Sequence, residues 1–124
     1  SQMPCSTPGL TAMTIDPRYT SSFVLKLKPG AIDAYRERHD ALWPEMRQAL
    51  LEQGIIHYEI YYHSDERLLF AHVVRSGPFD TMLPEAPAIT RWREHMRDLM
   101  ELEGNRPYRR VLDRVFLLMA SPAP

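Results

Sequence analysis

Only one cysteine, Cys5, occurs in the 124 residues. No intrachain disulfide can form, and no zinc cage of thiolates can be assembled. Charge of one sign is also missing: 15 Lys and Arg against 16 Asp and Glu leave a net charge of −1. That removes any bulk electrostatic case for nucleic acid or an anionic membrane surface. Short clusters such as Arg106, Arg109 and Arg110 do not change the balance. No stretch approaches the roughly 18 consecutive apolar residues needed to span a bilayer. The first residues lack a basic segment followed by an apolar run of secretory type. A reducing, cytoplasmic setting with no nucleic-acid or membrane partner is the expectation.

What remains is an ordinary globular composition, 44% apolar and 25% charged, in a chain whose length fits one compact domain. Residues 1–22 carry Pro4, Pro8, Gly9 and Pro17 among small polar residues. They cannot bury enough apolar surface to fix themselves and read as a flexible arm. Residues 121–124 read as a flexible tail, leaving a domain over 23–120.

Within that domain the hydrophobic period switches in an informative order. Phe23, Leu25 and Leu27 alternate with Val24, Lys26 and Lys28, a strand stopped by Pro29-Gly30. From Ala31 to Gln53 the pattern is helical, with Gly54 at the capping position. Pro44 lacks an N–H and crowds the carbonyl four residues back, so the helix must kink or restart at Trp43-Pro44. Ile55–Tyr62 and Leu68–Val74 read as strands joined by a turn at Ser64–Arg67. Ala88–Glu101 follows as a helix with a stripe of Ile89, Trp92, Met96, Leu99 and Met100, and Val111–Met119 reads as a last strand. The order β-α-β-β-α-β predicts an α+β, ferredoxin-like domain, with two helices on one face of a four-stranded antiparallel sheet. Strands two and three carry apolar residues on both faces. The bare face is therefore expected to pack on a second copy, as a homodimer, or to enclose a pocket.

The densest polar and aromatic group runs from Tyr35 to Glu45. Tyr35 and His39 lie four apart and share one helix face. An imidazole can both give and take a proton near neutral pH. The histidines at 57, 63, 72 and 95, with Glu59, invite a metal reading, but a site needs three or four ligands to converge. Only His57 and Glu59 read as sharing a face, so no metal is expected.

Within Phe23–Met119 stand Tyr35-x-x-x-His39-x-x-x-Trp43-Pro44-Glu45, Gly54-x-x-x-Tyr58-x-Ile60-Tyr61, Leu68-Leu69-Phe70-Ala71 and Arg91-Trp92-x-x-x-Met96-x-Asp98-x-Met100, with Val115-Phe116 near the end. On these motifs the segment resembles the L-rhamnose mutarotase family. It implies a dimeric α/β barrel and cofactor-free interconversion of the α and β anomers of a 6-deoxy-L-sugar. It further implies His39 as proton donor, and Tyr35, Tyr58 and Trp92 as sugar contacts. Trp43 is a possible lining residue of the pocket. Two departures bear on that pocket. Arg93 stands where the family has a second tryptophan, and Glu103–Tyr108 replaces an Asn-Pro-Asp-Asn-Ser-Pro loop. A guanidinium at 93 would suit a differently placed hydroxyl, as in L-fucose. A cofactor-independent oxygenase or isomerase on the same architecture is a competing reading, and a non-catalytic ligand-binding dimer is another.

Overall fold

The computed structural model describes residues 19–78 and 84–120. Strand β1 spans Thr20–Lys26, helix α1 Ile32–Asp40, helix α2 Pro44–Glu52, strand β2 Ile55–His63 and strand β3 Leu68–Arg75. Helix α3 spans Pro87–Met96 and continues into a 3-10 turn at Arg97–Leu99. A small hairpin, β4 (Leu102–Glu103) and β5 (Arg106–Pro107), precedes β6, Arg109–Leu112. The main sheet has the order β2-β3-β1-β6 and is antiparallel throughout. That is the ferredoxin-like arrangement expected, with three helices rather than two.

Each difference from the periodicity has a local cause. The helical run over 31–53 divides because Trp43 is extended (ψ 134) and Pro44 opens α2 at its first turn, where a missing N–H is harmless. Helix α3 stops at Met96, short of Glu101, because the backbone of 99–101 is recruited by the end of β1. The Lys28 N–H donates to the Leu99 carbonyl (2.9 Å), and the Glu101 N–H donates to the Lys26 carbonyl (2.8 Å). The last strand ends at Leu112, seven residues before Met119. Leu112 already pairs with Ser22, near the start of β1, and little strand remains for residues 113–119 to lie against. The strand start at Thr20 places residues 20–22 in the sheet rather than in the expected arm. The remainder of that arm, 1–18, and the tail 121–124 lie outside the described residues.

The main core lies between the sheet and the helices, while Val24 and Val74, on the outer sheet face by the strand alternation, are buried as well. Leu69, with Leu25, Ile60 and Tyr62 beside it, supplies the sheet side. Tyr35, Met46, Ala49, Ile89, Trp92 and Met96 supply the helix side. Leu27, 0% exposed, sits where β1 hands over to the Leu99–Glu101 backbone. Opposite residues of an antiparallel pair share a face, so the register aligns Ser21, Val73 and Tyr58, then Phe23, Ala71 and Ile60, then Leu25, Leu69 and Tyr62, beneath the helices. No helix among the described residues is long and apolar enough to cross a membrane.

Gly54 takes a left-handed φ of 84°, and a Cβ there would lie 3.0 Å from the Ser76 hydroxyl oxygen. The backbone there demands glycine, and a Cβ would also press on the Ser76 side chain. Truncating Leu27 to Ala removes atoms from the best-sealed point of the core. It should cost about 2–5 kcal/mol in urea unfolding; a loss below about 1 kcal/mol would show that this junction is not tightly packed.

Candidate active site

The kinked helical segment and α3 bring five aromatic rings together over the sheet. His39 stacks on Tyr35 at 4.3 Å between centroids, tilted by 30°. It meets Trp92 edge to face at 5.3 Å and 88°. Trp43 meets Trp92 in the same way at 5.1 Å, and His95 lies 5.1 Å from Trp43. Edge-to-face and tilted contacts of this kind fix ring orientation. Tyr35 and Trp92 are each only 7% exposed, so their spacing is set by the core itself.

A second device locks α1 to α3. Arg38, one residue before His39, donates to both carboxylate oxygens of Asp98 (2.9 and 3.1 Å) and to the His95 carbonyl (2.6 Å). A bidentate guanidinium fixes geometry better than a single contact can. The carboxyl of Asp98 is held below its usual range by that bond.

His39 lies at the end of α1, where the Tyr35 carbonyl accepts a hydrogen bond from the imidazole Nδ1 at 3.0 Å. A carbonyl can only accept, so Nδ1 carries the hydrogen and the neutral ring presents Nε2 as its acceptor. Burial pulls the imidazole below its ordinary value. The bond to Tyr35 and the neighbouring Asp40 pull the other way and lose. At neutral pH the ring is therefore uncharged.

An open cleft of about 1510 Å³ runs between the helix layer and the sheet, lined by Tyr35, His39, Tyr58, Trp92 and Arg93 among others. It exceeds the roughly 300–1,000 Å³ of enclosed small-ligand pockets, so it is a groove rather than a chamber. Tyr58 rises from β2 with 40% of its surface exposed. The surrounding walls still desolvate its phenol enough to raise it, against the opposing pull of Arg109 and Arg75. The Tyr35 phenol is raised more strongly, by burial first and by Tyr58 second. Both stay protonated and able to donate.

The structure thus gathers His39, Tyr35, Tyr58, Trp92 and Arg93 at one cleft. Trp43 is not among its lining residues. It packs behind, against Trp92 and His95, because Pro44 forces the chain to turn there. Arg93 is not the free cation that its sequence position suggests. It forms a two-pronged ion pair with Glu85. Neither this pair, nor Arg75 and Arg109 beside Tyr58, nor the Arg38–Asp98 lock shows in the local pattern of the sequence. No short-range spacing marks them, since each acts across strands or about 60 residues of chain. His72 is nearer His57 than expected. Opposite Glu59 on the outer sheet face, it brings its ring to 6.3 Å from that of His57. Among the described residues, no three His, Cys, Asp or Glu side chains form a group that could hold a metal.

The sequence pattern of the L-rhamnose mutarotase family matches residues 20–118. The chain belongs to that family. An L-rhamnose mutarotase from Burkholderia ambifaria is 40% identical over 101 residues, covering 80% of this chain and 97% of the relative. One from Jannaschia is 35% identical, covering 77% and 93%. The crystal structure of L-rhamnose mutarotase from Formosa agariphila superimposes with a TM-score of 0.69 at 32% identity, covering 81% of this chain and 98% of the other. The structure of Rv0793 from Mycobacterium tuberculosis, at 19% identity and a TM-score of 0.53, shares the fold. L-Rhamnose mutarotases are isomerases that interconvert anomers.

The environment of His39 sets its titration. Its folded value lies below the unfolded one near 6.5, so protonation favours the unfolded chain. The resulting loss of stability begins as pH falls through 6.5 and is complete below the folded value. NMR of the His39 ring carbons should place the midpoint below 6.5; a midpoint at or above 6.5 contradicts this environment.

Proposed function

We propose that this chain interconverts the α and β anomers of a 6-deoxy-L-sugar, L-rhamnose first and L-fucose second, by opening and reclosing the ring at His39. The observation that carries the reading is the fixed tautomer of that imidazole. With Nδ1–H committed to the Tyr35 carbonyl, Nε2 is left as the basic atom beside the cleft.

The chemistry then balances without an external partner. Neutral Nε2 takes the proton of the anomeric hydroxyl as the C1–O1 bond gains double-bond character. The bond from C1 to the ring oxygen breaks, and its electron pair leaves with that oxygen. The imidazolium returns the same proton to the ring oxygen. Both oxygens stand on one carbon, so a single ring can serve them in turn. The aldehyde rotates about its bond to C2, and closure runs the steps backward. His39 thus acts as acceptor and then as the donor that the family resemblance implies. Its depressed pKa suits a group that must release a proton quickly. Tyr35 and Tyr58, kept protonated, can donate to sugar hydroxyls. Trp92 offers its indole to C–H groups or the C6 methyl. Family membership favours this reading over an oxygenase or a mere binder.

We infer a homodimer closed through the outer sheet face, giving a dimeric α/β barrel. Tyr61 is 62% exposed there, and the strip after β6 leaves Val115 at 96%, Phe116 at 76% and Leu118 at 78%. Apolar exposure on this scale marks an interaction surface. A cytoplasmic location rests on the lone Cys5 and the expectation drawn from it.

Two outcomes are expected. His39→Ala should slow anomer exchange on L-rhamnose by about 10²- to 10⁴-fold, while sugar affinity changes far less. Saturation-transfer NMR at the anomeric protons measures both, and full exchange in the variant removes His39 from the reaction. Light scattering should find a dimer for the full chain and a monomer for a chain ending at Asp113; an unchanged mass for the truncated chain excludes the strip as the joining element.

A further inference from the structure

We propose that Glu85 and Arg93 form a hydroxyl-reading edge of the cleft that selects sugars by one pair of adjacent hydroxyls. This deepens the mutarotase reading and rests on it. The Arg93 Nη1–H donates to Glu85 Oε2 at 2.8 Å, and Nη2–H donates to Oε1. The Thr90 hydroxyl donates to Glu85 Oε2 at 2.7 Å. Glu85 precedes α3, while Thr90 and Arg93 stand on it, so one helix end holds all three groups in a fixed array.

Counting donors and acceptors shows what the array has left. A carboxylate offers about four lone-pair sites, and three are taken here. A guanidinium has five N–H donors, and two are taken. About one acceptor and three donors remain side by side. A vicinal diol presents the complement, hydroxyls that each give one hydrogen and accept through lone pairs. The pair is reachable, since the Arg93 and Glu85 side chains are 54% and 37% exposed. It is also in place: both residues line the cleft that holds His39 and Tyr35, and Arg93 follows Trp92 in the chain. A sugar whose apolar face lies on the indole would meet the array with its hydroxyl rim. The pair carries no net charge, which fits a neutral polyol better than an anionic sugar. The bond to Arg93, with that from Thr90 second, keeps the Glu85 carboxyl ionised by holding it below its usual range, and the array stays intact across neutral pH.

A purely structural role, pinning residues 84–86 to α3, would not distinguish one hydroxyl from another. The test is therefore a cycle between protein and substrate. Anomer exchange is measured for L-rhamnose, L-fucose and their 2-, 3- and 4-deoxy analogues, with the wild type, Glu85→Gln, Arg93→Met and Arg93→Lys. In the wild type, loss of a hydroxyl read by the pair should lower kcat/KM by about 10- to 100-fold. That penalty should shrink to about threefold or less in Glu85→Gln and Arg93→Met, with Arg93→Lys intermediate, while penalties at other positions persist. Penalties that are the same in every protein overturn the proposal. So does a uniform drop on all sugars with a lowered Tm, which would leave only the pinning role. Absence of exchange by the wild type on both parent sugars instead sinks the mutarotase reading itself.

Discussion

An imidazole that gives its Nδ1 hydrogen to a carbonyl of its own helix has one nitrogen left for chemistry, and its direction is set by the helix. In this fold the Tyr35 carbonyl plays that part for His39, and it can do so because α1 is about to end. Three residues into the break at Ala41–Trp43, Pro44 opens the next helix. The proline that interrupts the helical run therefore ends α1 just after His39, at the edge of the cleft. A continuous helix would instead pack residues 39–43 as one more turn of the layer. The aromatic cluster around the ring follows from the same break, since Trp43, released from helical geometry, fills the space behind Trp92.

Position alone would leave the ring free to swing with α1. Arg38 prevents this by crossing to the Asp98 carboxylate and the His95 carbonyl at the far end of α3. The bond is largely exposed, so its worth lies in geometry rather than in stability. It couples the helix that carries His39 to the helix that carries Trp92 and so preserves the edge-to-face contact of their rings at the rim of the cleft. The electrostatics agree with this division. His39 is half-buried and pulled down, and the two phenols are desolvated and pulled up. One group is left able to accept a proton and two are left able to donate a hydrogen bond.

Much of this was legible in the sequence where short-range rules operate. The order of elements, the break at Pro44, the turn at Ser64–Arg67 and the buried stripe Ile89, Trp92, Met96, Leu99 and Met100 all follow from local period and chain stereochemistry. That Tyr35, His39, Tyr58 and Trp92 belong together was legible too, because His39 and Tyr35 share a helix face and Tyr58 and Trp92 belong to a recognisable pattern, and all four line one cleft. What escaped was decided between distant parts of the chain. Helix α3 stops early because β1 competes for its backbone. β6 is short because β1 has few residues left to pair. Arg93 looked like a free donor and is instead half of an ion pair, since Glu85 lies across a proline-rich segment with no period to reveal it.

The two faces of the sheet complete the division of labour. The helix side is apolar at its centre and polar at the cleft edge, which suits a small molecule with one C–H face and one hydroxyl rim. On the outer side, Ser22 bonds His72 at 3.0 Å, His57 meets Glu59 at 3.0 Å, and the Tyr61 hydroxyl donates to Glu59 at 2.8 Å. These polar groups satisfy one another among exposed apolar neighbours such as Phe70 and Leu112. A surface whose polar atoms are already paired loses little when water is excluded from it. That is the condition a sheet face must meet if a second copy is to close over it, and the cleft with His39 and Tyr35 opens on the opposite side.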